Sequence, residues 1–168
     1  MAIQLIHGDV FAAQADALIV TLDGAAKGLR GNIAHGFIRR WPEAYADLEA
    51  EVRFPMRLGT AQLVRIENDS PFPGVLFVST LHHTDTFAEE QKLGVLRVAF
   101  AYALDLAQRA RVNCLATTVL KGGWRLDVRV AFDAMKGAYP GTRFARSGGQ
   151  CDVYALDRTE YEAITGRS

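Results

Sequence analysis

Three short stretches set glycine beside groups that suit an anion. Lys27 to Pro42 reads KGLRGNIAHGFIRRWP, with Gly28, Gly31 and Asn32 ahead of an amphipathic run. Glycine in a helix costs about 1 kcal/mol relative to alanine, so its use here points to something approaching the backbone. A helix N-terminus offers unpaired N–H groups and the positive end of the helix dipole, which together suit a phosphate. A turn at Gly31 and Asn32 would let the N–H groups of Ile33 and Ala34 face one. Val119 to Trp124 reads VLKGGW, so Gly122-Gly123 follow a buried strand and precede a helix in the same way. Two glycine-containing loops, each leading from a strand into a helix, form a pair of backbone cradles for a diphosphate. Gly8-Asp9-Val10 is a third strand-end loop.

Side chains that could assist lie close to these loops. Arg30 and Lys121 would add positive charge at the mouth. Asp23, His35 and Lys121 are the candidates for helping a positioned water to react. His35 falls one turn into the first helix, and histidine is the side chain whose charge changes nearest neutral pH. His82-His83 near Asp85 resembles a metal-ligand cluster. Adjacent strand residues point to opposite faces, however, so they are read as loop histidines and no metal site is expected. His7 belongs to the first strand, and Arg39-Arg40 reads as a solvated helix face. No Ser-His-Asp or Cys-His arrangement follows from spacing, because such partners meet only in space.

The elements that position these groups alternate. Ile3 to Ile6 reads as a strand. Ala17 to Leu22 is a continuous apolar run, as in a strand buried on both faces. Ile33, Phe37 and Trp41 recur every four residues and would pin one helix to the sheet. Pro42 ends that helix or opens the next, where Tyr45, Leu48 and Val52 continue a stripe. Thr60 to Ile66 is β-rich, Asn68 to Gly74 is a loop, and Val75 to Leu81 is a second buried strand. The longest helix runs from Ala88 to Arg111, with Leu93, Leu96, Phe100, Ala103 and Ala107 on one side. Cys114 to Leu120 is a strand, Asp127 to Met135 a helix that Asp127 caps, and Cys151 to Leu156 a last strand. This alternation predicts an α/β layered structure with helices on both faces of the sheet and a ligand where strand ends meet helix starts.

Composition narrows the setting. The 168 residues suit a single domain spanning 1–168. Apolar residues at 49% and charged residues at 23% are ordinary for a soluble globular protein. Lys plus Arg and Asp plus Glu both number 19, so net charge gives no indication of direct nucleic-acid binding. No apolar run approaches the roughly 20 residues of a membrane span, and the N-terminus does not read as a signal peptide. The two cysteines, Cys114 and Cys151, sit in apolar runs and read as buried free thiols, which suits a cytoplasmic protein.

Taken in order, these segments resemble the macrodomains, a family that binds ADP-ribose. Gly8-Asp9-Val10 resembles the family's "GD-[IV]" segment, whose Asp accepts a hydrogen bond from the adenine amino group. Asp16-Ala-Leu-Ile-Val20 resembles its "DAIV" strand. Asn32 to Pro42 resembles "GIAxxFKxxFP", the form of the branch that contains glutamate-ADP-ribose hydrolases and the antitoxin macrodomains that remove ADP-ribose from DNA. Thr118 to Trp124 falls at the second phosphate loop, and Ala155-Leu-Asp-Arg158 resembles the closing "YDR" segment. The resemblance implies a three-layer α/β/α fold with a mixed, largely parallel central sheet of about six strands. It also implies that Asp9, Val10, Thr21, Gly31, Asn32, Ile33, Ala34, Thr118, Val119, Leu120, Lys121, Gly122, Gly123, Trp124 and Leu156 line the ligand. The partner it implies is ADP-ribose or an ADP-ribosylated macromolecule, with no cofactor and no membrane.

The departures bear on activity. Thr21-Leu-Asp-Gly24 stands where the family has the asparagines that orient the distal ribose, so that role would pass to Thr21 or Asp23. Ser79-Thr80 stands where the hydrolase branch has a lysine, Lys121-Gly-Gly-Trp124 where it has an acid, and Leu156 where an aromatic stacks on adenine. The sequence therefore supports ADP-ribose binding and leaves open whether ADP-ribose is removed from a protein or nucleic-acid acceptor. The alternative is a degenerate macrodomain that serves as a protein–protein interaction module without nucleotide binding.

Overall fold

Two strands with no polar face form the centre of the molecule. In β2 (Ala17–Asp23) and β4 (Gly74–Leu81) almost every residue is buried, because helices cover both sides of the sheet. Their side chains alternate between two separate apolar clusters. Ala17, Ile19, Leu76 and Val78 point to one, while Leu18, Val20, Val75 and Phe77 point to the other. The computed structural model describes residues 3–25, 31–67, 70–121 and 125–166. The expectations for Lys27 to Arg30, Asn68-Asp69 and Gly122 to Trp124 lie outside the described residues.

The six strands are ordered β1-β6-β5-β2-β4-β3, with β1 at Ile3–His7, β3 at Ala61–Arg65, β5 at Cys114–Thr118 and β6 at Gln150–Ala155. All neighbours are parallel except β3, which runs antiparallel to β4. The first face carries α3 (Glu89–Arg109), α4 (Val128–Ala138), α5 (Arg143–Arg146) and α6 (Arg158–Thr165). The second carries α1 (Asn32–Arg40), α2 (Pro42–Glu51) and a 3-10 turn at Val10–Ala12. The sheet is thus mixed and largely parallel, in three layers.

Caps fix where the helices start. Asp127 Oδ1 accepts the Val130 N–H at 3.0 Å, Thr142 Oγ1 accepts that of Ala145, and Asp157 accepts that of Thr159 at 2.7 Å. Gln91 reaches back to the Ala88 N–H at 2.8 Å to start α3. Pro42 occupies the first turn of α2, where its missing N–H costs nothing.

Several expectations are corrected here. β5 ends at Thr118, not Leu120, because the Lys121 N–H turns back onto the Val119 carbonyl at 2.8 Å. Phe37 is fully buried under α1, but Ile33 and Trp41 are only half-buried. Cys151 is buried, and burial raises its thiol pKa far above the usual range; Cys114 is partly exposed. The sequence reading had no helix after β6, where α6 lies, nor between α4 and β6, where α5 lies.

One loop position tolerates no side chain. A Cβ on Gly24 would lie 2.5 Å from the Met56 carbonyl oxygen and against Ser79 Oγ. Gly24→Ala is therefore expected to cost about 1–3 kcal/mol through overpacking against a backbone atom that cannot yield like a side-chain tip. Urea denaturation would show the loss as a lower midpoint at unchanged slope. Equal midpoints would mean that the turn after β2 opens freely.

Candidate functional site

Strand direction puts the C-terminal ends of β1, β6, β5, β2 and β4 at one edge of the sheet. The chain leaves β2 towards β4 on one side and leaves β5 towards β6 on the other. A crevice therefore opens between β2 and β5, at the point where the strand order reverses. A cleft of about 750 Å³ lies there, open to solvent. It crosses four neighbouring strands, β6, β5, β2 and β4, which at about 4.8 Å per step makes a trough roughly 14 Å wide.

The helix that faces this trough has an open start. Gly31 precedes α1 with φ 125° and ψ 165°, a conformation open essentially only to glycine. No side chain caps α1 among the described residues, and the first intrahelical bond runs from the His35 N–H to the Gly31 carbonyl. The preceding N–H groups, those of Asn32, Ile33 and Ala34, carry the positive end of the helix dipole. Gly31, Asn32 and Ile33 line the cleft. Ala34 and Phe37 are buried beneath them and hold the first turn in place.

The opposite wall comes from the end of β5 and from α6. Thr118, Val119 and Lys121 line it, joined by Tyr154, Leu156 and Glu160. Lys121 Nζ lies 2.9 Å from Glu160 Oε1, so its charge is paired within this wall. Leu156 is 71% exposed at the rim, a large apolar surface available to a flat ligand. Burial, with Asp152 and Cys114 adding to it, raises the Tyr154 phenol above its ordinary value.

The β4 end is polar. Asp23 Oδ2 lies 2.7 Å from His83 Nδ1, and its Oδ1 accepts the Ala25 N–H at 2.9 Å. Partial burial pushes the Asp23 carboxyl up, but the Ala25 N–H and the His83 ring and main-chain N–H together outweigh it and hold the group below its ordinary value. The Thr80 side chain lines the same end and is 2% exposed, and its hydroxyl has no partner among the described residues.

No sequence-family model and no curated protein matches the chain. Solved structures do. The macrodomain of Mycobacterium tuberculosis DarG matches with a TM-score of 0.72 at 18% identity, over 92% of this chain and 98% of that one. The Trypanosoma brucei macrodomain in complex with ADP-ribose matches with a TM-score of 0.75 at 17% identity, over 98% and 68%. The Oceanobacillus iheyensis macrodomain with MES bound gives 0.77 at 10% identity, over 98% and 89%. The chain has the macrodomain fold.

Within this macrodomain fold the sequence-derived site residues divide into three groups. Thr21, Asp23, Gly31, Asn32, Ile33, Thr118, Val119, Lys121 and Leu156 are brought together on the cleft. Val10, Ala34 and Leu120 are buried in the layers beneath it, and Asp9 and His35 lie off its walls. Gly122, Gly123 and Trp124 lie outside the described residues. Asp9 is occupied: Oδ1 accepts the Phe11 N–H at 2.9 Å, and Oδ2 pairs at 3.2 Å with Arg40, whose guanidinium sits 4.5 Å from the centre of the Phe11 ring. Arg40 is thus engaged rather than simply solvated.

The sequence reading missed Thr80, His83, Tyr154 and Glu160 on the walls. His83 meets Asp23 from 60 positions further along the chain, which no local pattern signals. Glu160 had a signal: Asp157-Arg-Thr-Glu160 has the spacing of a helix start, cap residue followed three positions later by an acid. No helix among the described residues is long and apolar enough to cross a membrane, and no cluster there could hold a metal ion.

Proposed function

We propose that the chain binds ADP-ribose in this cleft, with the diphosphate at the start of α1. The observation that carries the reading is the first turn of α1, which has no side-chain cap among the described residues and borders a trough at the reversal point of a macrodomain sheet. The free N–H groups and the dipole supply the attraction that a diphosphate needs, without a net positive surface. The adenosine would extend towards Leu156 and the β6 end, and the distal ribose towards Thr21 and Asp23. The structural relative from Trypanosoma brucei, of the same fold, holds ADP-ribose. Where that ADP-ribose is the end of an ADP-ribosylated protein or nucleic acid, the bond to the acceptor would emerge at the β4 end.

A melting experiment tests this. ADP-ribose at about a hundred times its Kd should add roughly 2.7 kcal/mol of apparent stability. Unchanged melting at millimolar ADP-ribose would instead favour a protein–protein interaction module. That second reading draws on Asp9, whose two oxygens are already engaged by Phe11 and Arg40. Both partners of the ion pair are substantially exposed, and such a pair is worth only about 0–1 kcal/mol, so a ligand could displace Arg40 at little cost.

A further inference from the structure

We propose that the free edge of β3 docks an extended segment of a partner protein, apolar at alternate positions and basic between them, which joins the sheet as a further strand. The site shares no lining residue with the cleft and stands apart from the ADP-ribose reading. β3 ends the sheet, with β4 on one side and no strand on the other. Its ladder to β4 fixes which main-chain groups are used. The Ser79 N–H donates to the Thr60 carbonyl at 2.9 Å, and the Ile66 N–H donates to the Pro73 carbonyl at 2.9 Å. Residues that bond across an antiparallel pair alternate along the strand, so Thr60, Gln62, Val64 and Ile66 face β4. Ala61, Leu63 and Arg65 turn their N–H and C=O groups outward, where no described residue bonds to them. A row of donors and acceptors at every second residue is a template for an added strand.

This edge forms the floor of a groove of about 920 Å³ between α2 and α3. Gln62 holds the α2 wall in place. Its side-chain oxygen accepts the Arg53 N–H at 3.0 Å, and its amide nitrogen donates to the Arg53 carbonyl at 2.7 Å. The side chain grips the chain after α2 as a neighbouring strand would, so the groove is preformed. The α3 wall follows the edge. A Cβ on Gly59 would lie 3.4 Å from Val98 Cγ1, and beyond the other end of the strand Arg65 donates to the Ala110 carbonyl at 3.0 Å. α3 therefore runs beside β3 in the same direction. Val98, Tyr102 and Leu106 recur every fourth residue on one face of it. Leu106 lines the groove, while Val98 is 61% and Tyr102 41% exposed. Apolar side chains in a row beside unpaired main-chain groups mark an interaction surface, not scattered exposure.

The walls define the occupant. Ala61 and Leu63 pack into the cluster under α3, and Val64 into the one under α2. Side chains of an added strand alternate in the same way. Those on the α3 side meet Leu63 and Leu106, which suits apolar residues. Arg65 is committed to the end of α3, and acidic side chains, exposed Glu51 and Glu67 among them, outnumber Arg53 in the groove. That balance suits basic residues between the apolar ones. The recessed edge admits a single strand, whereas a second copy of this chain would bring its own α2 and α3 against these walls.

The test uses the full chain and a labelled peptide of about nine residues alternating valine and lysine, long enough to span β3. Binding is read by fluorescence anisotropy and by amide hydrogen exchange. Without peptide, the Ala61, Leu63 and Arg65 amides should exchange readily while those of Gln62 and Val64 are protected. Bound peptide should slow the outward amides by roughly tenfold or more. N-methylation of one alternate set of peptide amides should weaken binding by roughly tenfold or more, and of the other set by much less, because only one set faces β3. A valine–glutamate peptide should bind about tenfold more weakly, and Glu51→Lys should narrow that difference. A valine–lysine peptide that does not bind at millimolar concentration overturns the proposal, as does binding that leaves the outward amides unprotected. Protection that appears without peptide and rises with protein concentration would assign the edge to a second copy of this chain and overturn it too.

Discussion

Asn32→Asp is expected to make the protein more stable and a poorer ligand for ADP-ribose at once. Asn32 is the exposed first residue of α1 and lines the cleft. A carboxylate there interacts favourably with the helix dipole and with the free N–H groups, worth about 0.3–1 kcal/mol. The same carboxylate would lie beside the bound diphosphate. Two unit charges 4 Å apart repel by about 4 kcal/mol at an effective dielectric of 20. Salt and exposure reduce this to about 2 kcal/mol, roughly a thirtyfold rise in Kd. Thermal melting and calorimetry on the same sample give both signs. A variant that gains stability but binds ADP-ribose as tightly as the parent would place the diphosphate away from α1.

Phe37→Ala should be the most damaging change near the site. The ring is 2% exposed and packs among Val20, Ala34, Leu48, Val75 and Phe77, with Trp41 at 5.0 Å between ring centres. Truncating a fully buried phenylalanine costs about 3–5 kcal/mol, a large part of the 5–15 kcal/mol that a domain has in total. Because Phe37 ties α1 to the sheet, the loss reaches the first turn as well. Urea denaturation should show the full drop, and Phe37→Leu, which keeps most of the volume, should lose less than about 1.5 kcal/mol. Near-equal stabilities for the two variants would show that α1 is not held by this contact.

What the sequence revealed follows from the range of the forces involved. β2 and β4 were legible because burial on both faces leaves an unbroken apolar run, and α3 because its stripe of Leu96, Phe100, Ala103 and Ala107 repeats over many turns. Gly31 was legible because its role is local: only glycine takes that φ and ψ. α6 was not, because it buries no residue fully and so carries no apolar stripe. The α5 turn is too short for periodicity to register. The Asp23–His83 and Lys121–Glu160 pairs form only when strand ends converge, and neither partner's neighbourhood in the chain announces the other. Arg40 followed the same logic, since its partner Asp9 lies on a different element.

The central claim is that main-chain amides at the start of α1 hold the diphosphate. Amide chemical shifts report those groups one by one during a titration with ADP-ribose. The account predicts saturable shifts that are largest at Asn32, Ile33 and Ala34, accompanied by Val119 and Lys121 across the cleft. Binding that leaves the three α1 amides unmoved while shifting residues elsewhere would contradict it.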